Sequence, residues 1–423
     1  MIRLETTTWG ELEIFYEDLA LEPADVVDAG WLLAGVARPL WGRHSVTVST
    51  GPYAGRLLVP GRCVIDIDEL VSGTVEALLP LAYSGIRHSE EPGLAGMAAL
   101  PPWAALLNRY GELLYDYVSG GIDRRYLPRR WETTLPRGRI DLARTVGLHR
   151  ARGRPDVLSC LVRELTEDTV FHRLLVSAAV RADRILGIAS PPPGGLRALR
   201  RSLAAFTGVP FETSPDIRLA RAELGHQADE HLVGLLDLAE LIVKGVSALP
   251  ESEVDREQPA SVWINVESIF EQAVRRQVAE LAAAPVRAGR GDGVELLHDG
   301  EPLAADPDVV VEDPGGVVIA DAKYRRHGAD VGRSELYQLM AHSTAYEARR
   351  AALVTPRMAA SDNDRFLGTD SSGCGYDVVV VDANSPNALR AQLREWLVRS
   401  GVMLSNAGVS DEATSVLPAP APA

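Results

Sequence analysis

Asp308, Asp321 and Lys323 are the residues whose types and spacing could do chemistry, and all three fall in the segment PDVVVEDPGGVVIADAK, residues 307–323. Two β-branched runs, 309–312 and 317–324, flank Asp313, Pro314, Gly315 and Gly316. That pattern predicts a β-hairpin, and proline at the second turn position with glycine at the third favours a type II turn. If Asp313 pairs with Gly316, then Glu312 faces Val317, Val310 faces Ile319 and Asp308 faces Asp321. Side chains alternate along a strand, so Asp321 and Lys323 share one face while Val318, Ala320 and Ala322 take the other. Directly opposed carboxylates stand with their Cβ atoms roughly 5 Å apart and repel each other. Hard oxygen ligands so placed suit Mg²⁺ or Mn²⁺, and Lys323 is positioned to hold or deprotonate a water or to steady a phosphate. This is the chemistry of a metal-dependent nuclease. A surface hairpin with scattered charges is the alternative. Against it, VVIADAKY is apolar on both faces until the acid, as expected of a buried central strand that delivers a charge to a cleft.

The chain has 423 residues, 46% hydrophobic and 24% charged, enough for two or three domains of ordinary globular content. No apolar run approaches the length of a membrane span, and the amino-terminal segment is acidic, so neither a span nor a secretory signal is expected. Cys63, Cys160 and Cys374 are isolated, which argues against a disulfide framework or a zinc site and for a reducing cytoplasm. The formal charge of −15 is unusual for a protein that finds DNA unaided, because phosphate contacts need basic surface. Recruitment by a partner would resolve that.

The elements that must position the three residues can be read along the chain. Residues 1–72 alternate in short runs broken by Gly and Pro, as in a small β-rich module. Residues 73–255 read as mainly helical, with helical spacing over 101–120 and over 166–186, where Thr166 is the expected cap. Further helices are expected near 196–206 and 228–248, and SPPPGG at 190–195 reads as a turn or linker. The polar segment PESEVDREQPA then marks a boundary. Residues 256–405 give helix (266–284), strand (294–297), the hairpin, helix (333–350), strands (351–355 and 376–382) and helix (386–400). The expected class is therefore α/β, a mixed β-sheet flanked by helices, preceded by a β-rich module and a helical region. Residues 406–423, rich in Ala, Pro and Ser, read as a disordered tail.

Two helical residues could join the hairpin. Glu271 lies beside the apolar face of VESIFEQAVRRQVAEL and could reach the metal site, or could pair with Arg275 one turn on. Gln338 sits between Leu336 and Leu339, where a glutamine is usually only a polar helix residue.

With Phe270–Glu271, Pro307–Asp308, Asp321–Ala322–Lys323 and Tyr337–Gln338 in this order, the chain resembles the McrC family, the nuclease subunit of McrBC-type modification-dependent restriction systems, which carries a PD-(D/E)xK domain. The likeness extends upstream to LPRGRIDL (135–142), to LSCLVRELTEDTVFHRLL (158–175), with His172 where an Asn is common, and to YAGRLLVPGRCVIDI (53–67). One position departs: related nucleases often have Gln-x-x-x-Tyr, and the fourth residue after Gln338 is His342.

The resemblance implies a restriction-endonuclease-like domain in which Asp308, Asp321, the carbonyl of Ala322 and Glu271 hold Mg²⁺ (or Mn²⁺), with Lys323 and Gln338 completing the catalytic set. It implies an AAA+ GTPase partner of McrB type, which reads the modified base on double-stranded DNA. The chain itself contains no G-x-x-x-x-G-K-[ST] phosphate loop. Residues 1–250 are the expected docking portion, with Arg137 and Arg139 as candidate partner contacts or, alternatively, structural ion pairs. A stand-alone repair or recombination nuclease and a non-catalytic assembly factor remain the other function classes.

Overall fold

The computed structural model describes residues 2–19, 37–59, 63–83, 101–186, 194–225, 229–245, 262–287, 293–296, 304–325 and 332–405. Within these, no helix is long and apolar enough to cross a membrane, and Cys160 and Cys374 are buried free thiols. The expected linker at 190–195 lies mostly outside the described residues, as does the expected tail at 406–423.

The chain divides into two compact units, one formed by residues 1–106 with 261–423 and the other by 107–260. The boundary expected near 255 thus falls close to an observed division. The amino-terminal module, read from sequence as separate, folds into the same unit as the hairpin, and a fragment of 1–250 would cut through that unit.

In the first unit, β1 (Ile2–Thr7), β2 (Tyr53–Val59), β3 (Cys63–Asp68) and β4 (Val262–Asn265) form a four-stranded sheet in the order β1-β3-β2-β4. Gly55 makes the β2–β4 contact possible. Its φ is +156°, and a Cβ there would lie 2.1 Å from the Val262 carbonyl oxygen, so a larger residue would push the strands apart. A second, antiparallel sheet joins Glu11–Phe15, Ser45–Thr50 and Ala37–Trp41. Helix α1 (Thr74–Ala82) follows β3, and α2 (Val266–Leu281) follows β4 directly; the two helices pack together.

The mixed sheet contains β5 (Val286–Arg287), β6 (Val309–Asp313), β7 (Gly316–Ala322), β8 (Arg350–Pro356), β9 (Arg365–Thr369) and β10 (Gly375–Val381), ordered β5-β6-β7-β8-β10-β9. Helix α3 (Arg333–Ala345) makes the crossover between the parallel strands β7 and β8, and α4 (Pro386–Arg399) packs on β10 and α2. Val310, Ile319, Leu339, Leu353 and Tyr376 share one core cluster, which places α3 on the Ile319 face. The alternate residues of the same strands are buried on the opposite side, where α2 packs on β6 and β7. The β-branched runs therefore fill both faces. Two boundaries differ from expectation. Helix α3 ends five residues early, just before Glu347 turns left-handed at φ +48°, and the edge strand β9, largely exposed, had no apolar pattern to announce it.

The second unit is less helical than its sequence suggests. Arg125–Thr133, Leu158–Thr166 and Arg139–Ile140 form an antiparallel sheet with Leu158–Thr166 in the middle. Thr166 consequently ends a strand and does not cap a helix. The helix is Val170–Leu186, and Thr169 caps it by accepting from the His172 amide at 3.1 Å. That helix is buried along most of its length and packs against Gly194–Ala205, Ile217–Leu224 and Glu230–Gly245.

In the first unit Glu69 is buried ahead of α1, where its carboxylate accepts from the Gly73 amide at 2.7 Å and from the Val75 amide. Burial outweighs these bonds and pushes its pKa up from 4.5 to about 7. The folded protein therefore holds a proton, between about pH 4.5 and about pH 7, that the unfolded chain has released, and this group's contribution to stability falls as pH rises through that window. Glu69→Gln removes the titration. Its melting temperature relative to the parent should rise between pH 5 and pH 8 by on the order of a few degrees; an offset that stays constant across that range would show that Glu69 does not titrate there.

Candidate active site

The hairpin has the expected register. Asp313 pairs with Gly316, Glu312 with Val317, Val310 with Ile319 and Val309 with Ala320, where the ladder ends; Asp308, one residue before β6, is linked to the Asp321 segment through side chains instead. The turn itself differs. The positive φ belongs to Gly316, at +119°, and not to Gly315, so this is not a type II turn. Asp313 accounts for it: its carboxylate accepts from the Gly315 amide at 2.9 Å and from the Met403 amide at 3.0 Å, closing an Asx turn. Those two bonds hold its pKa below the usual carboxylate value.

Asp308 and Asp321 clasp each other's strand. The Ala322 amide donates to Asp308 Oδ2 at 2.9 Å, and the Asp308 amide lies 3.3 Å from Asp321 Oδ1. Their side chains are 12% and 3% exposed, and Lys323 Nζ stands 4.0 Å from Asp308 Oδ2. The three residues that sequence singled out therefore meet at the end of β7.

The helical candidates fall differently. The Asn265 side chain caps α2 by accepting from the Ser268 amide at 3.0 Å, which puts Glu267 in the first turn. Glu267 shares the electrostatic field of the hairpin. Burial raises its pKa, Lys323 and Arg325 draw it down, and Asp308 and Glu335 push it up again. Glu271 is one turn further on and half-buried, and the structure does not gather it with Asp308 and Asp321 into a three-ligand group. Phe270 is fully buried, its ring 5.7 Å from that of Tyr324. On α3, Glu335, Leu339 and His342 form the buried stripe while Gln338 is exposed. The α3 side chain that reaches the site is His342, whose Nδ1 is 3.1 Å from Asp321 Oδ2.

Sequence reasoning missed the residues that hold the segment after Lys323. Trp9, whose backbone is left-handed at φ +56°, donates its indole N–H to the Tyr324 carbonyl at 2.7 Å. The Arg325 guanidinium lies 5.7 Å from the Trp9 ring and is paired with Glu335. The Tyr324 hydroxyl accepts from the Val71 amide at 3.0 Å and contacts Thr74 Oγ1 at 3.1 Å. A non-glycine residue at positive φ is costly and points to a functional constraint. Only the isolated tryptophan in TTTWGE could have signalled it.

Among the described residues no three of His, Cys, Asp and Glu form a ready-made metal site. The donor set still fits a hard divalent ion. Two nearly buried carboxylates, from the residue before β6 and from the end of β7, are linked through each other's backbone amides, and Mg²⁺ ordinarily keeps several waters beside one or two protein carboxylates.

Residues 89–356 match the sequence profile of a family described as the McrBC 5-methylcytosine restriction system component, well over half of the chain. The chain belongs to this McrBC family. Among solved structures, it is similar to a chain in the half-complex of Thermococcus gammatolerans McrB AAA+ hexamers with bound McrC. That match covers 94% of this chain and 99% of the other at 17% identity, with a TM-score of 0.55, and it shows a common fold. A match to the T. gammatolerans McrBC complex covers 66% of this chain and 87% of the other, at 17% identity and a TM-score of 0.40. No curated protein matches the sequence.

In this McrBC family member the Trp9 bond is separable from its ring. Trp9→Phe removes the N–H donor, and one such bond contributes about 0.5–1.5 kcal/mol. Amide hydrogen exchange at 323–325 should accelerate by up to roughly tenfold; unchanged exchange would show that the indole does not anchor the segment.

Proposed function

We propose that this chain is the nuclease subunit of a McrBC-like restriction complex that acts against foreign DNA in the cytoplasm, hydrolysing DNA phosphodiesters with Mg²⁺ or Mn²⁺ held by Asp308 and Asp321. The observation that carries this reading is the pair of opposed, nearly buried carboxylates with Lys323 beside them, in a chain of the McrBC family.

A divalent ion bound there would lower the pKa of a coordinated water and neutralise charge developing on the phosphate. The chain's own residues do the rest. Asp308 and Asp321 would hold the cation at the end of β7, and the Ala322 carbonyl, next to Asp321 in sequence, would be a further oxygen donor. Lys323 orients the attacking water or a phosphate oxygen. Glu267 and Glu271 bring carboxylates from α2, and exposed Gln338 is placed to touch the DNA backbone.

The half-complex named above contains McrB AAA+ hexamers, and the proposed partner here is likewise an AAA+ GTPase of McrB type, delivering double-stranded DNA that carries a modified base. A charge of −15 favours delivery by a partner over unaided binding. In the second unit, Arg137 and Arg139 are exposed on either side of Gly138, and neither is held in an ion pair among the described residues. Gly138 has φ +62°, and a Cβ would stand 2.4 Å from the Leu161 carbonyl oxygen. Glycine is required where this loop returns to the sheet, leaving the flanking arginines for the partner.

Two experiments test this. Asp321→Ala should abolish Mg²⁺-dependent cleavage in a reaction reconstituted with the partner, by roughly a hundredfold or more given the several kcal/mol a metal supplies, while partner binding persists; full cleavage would end the nuclease assignment. Arg137→Ala with Arg139→Ala should weaken co-elution with the partner and reduce its nucleotide turnover. Undiminished stimulation by the double variant would remove these arginines from the interface, and efficient cutting of unmodified DNA by the chain alone would favour a stand-alone nuclease.

A further inference from the structure

The proposed nuclease site contains one side chain that neither its motif nor its chemistry accounts for. His342 is 5% exposed on α3, with Nδ1 3.1 Å from Asp321 Oδ2. It stands in the helical stripe of Glu335, Leu339 and Tyr346, so its backbone position is set by packing against the sheet. Both oxygens of Asp321 are thereby engaged, Oδ1 by the Asp308 amide and Oδ2 by the imidazole. An ionised carboxylate only accepts, so toward that form the bond is donated by Nδ1–H. A carboxylate oxygen has two lone pairs, and the imidazole leaves one on Oδ2 for another partner.

We propose that His342 is a positioning residue: its Nδ1–H fixes the plane of the Asp321 carboxylate so that the carboxylate faces the same divalent cation as Asp308. This rests on the nuclease reading and deepens it. Asp321 is the last but one residue of β7, and from the hairpin side the Asp308 amide holds its Oδ1. Without the helix donor the carboxylate can turn, and a cation then finds one preset ligand where it had two. Partners that orient a metal's ligands typically contribute 10- to 100-fold to its affinity. The imidazole reaches Asp321 from a buried position on α3.

The test uses the full chain and Mn²⁺ as the probe, with binding followed by calorimetry and by electron paramagnetic resonance. His342→Leu keeps the volume and removes the donor. His342→Asn keeps an amide N–H near the place of Nδ1. The leucine variant should bind Mn²⁺ about 10- to 100-fold more weakly than the parent, and the asparagine variant should recover most of that loss. In the parent without metal, ¹⁵N shifts should report the Nδ1-protonated tautomer. Equal affinity in parent and His342→Leu, or no recovery in His342→Asn, overturns the positioning role even when Asp321→Ala abolishes binding. If Asp321→Ala binds Mn²⁺ as the parent does, the metal assignment itself falls and the proposal with it.

Discussion

Two carboxylates held beside each other at the open end of the hairpin, Asp308 and Asp321, repel each other, and the arrangement around them has to hold them there. At roughly 5 Å and an effective dielectric near 20, the repulsion is about 3 kcal/mol. A hydrogen bond to a charged group contributes about 1.5–3 kcal/mol. The Ala322 and Asp308 amides together are thus of the right size to offset the repulsion, and Lys323 and His342 add to that. The site can therefore fold without a cation, while retaining oxygen lone pairs that a cation would use.

That balance requires the hairpin register to be fixed, since a slip of one residue would turn Asp321 into the opposite core. Three features fix it. The Asp313 Asx turn closes the loop, the valine and isoleucine rows are buried on both faces, and β8 pairs with β7 in parallel through Ala322. Beyond Ala322 the sheet no longer dictates the chain's path. Trp9, Val71 and Thr74 take over by gripping Tyr324, which gives the amino-terminal turns and the start of α1 a direct part in placing Lys323.

What was legible in the sequence follows the range of the interactions. The pairing of 309–313 with 316–320 could be read because a short loop and a period-two pattern leave few registers. The turn type could not, because proline and glycine propensities compete with an Asp313 side chain whose second oxygen is held by Met403, ninety residues away. Glu271 drew notice from its motif, yet Asn265 sets the helix start so that Glu267 enters the field of Lys323. In Leu158–Thr166, leucine, valine and charged residues suit either period, and only pairing with Arg125–Thr133 decides for a strand. His342 appeared as a departure from a pattern; its contact with Asp321 depends on how α3 lies on the sheet.

Charge near the site bears on how DNA could enter it. Lys323 lies against Asp308, and Arg325 against Glu335, so these two cations after the hairpin are already matched by acids. A phosphodiester approaching a chain of net charge −15 meets little attraction until positive charge is supplied from outside, and nonspecific DNA affinity depends on such charge. On the proposed reading, the divalent cation then serves binding as well as hydrolysis. On the same reading these electrostatics would restrain cutting, because a nuclease that holds DNA poorly by itself cuts chiefly where a partner brings the strand to it.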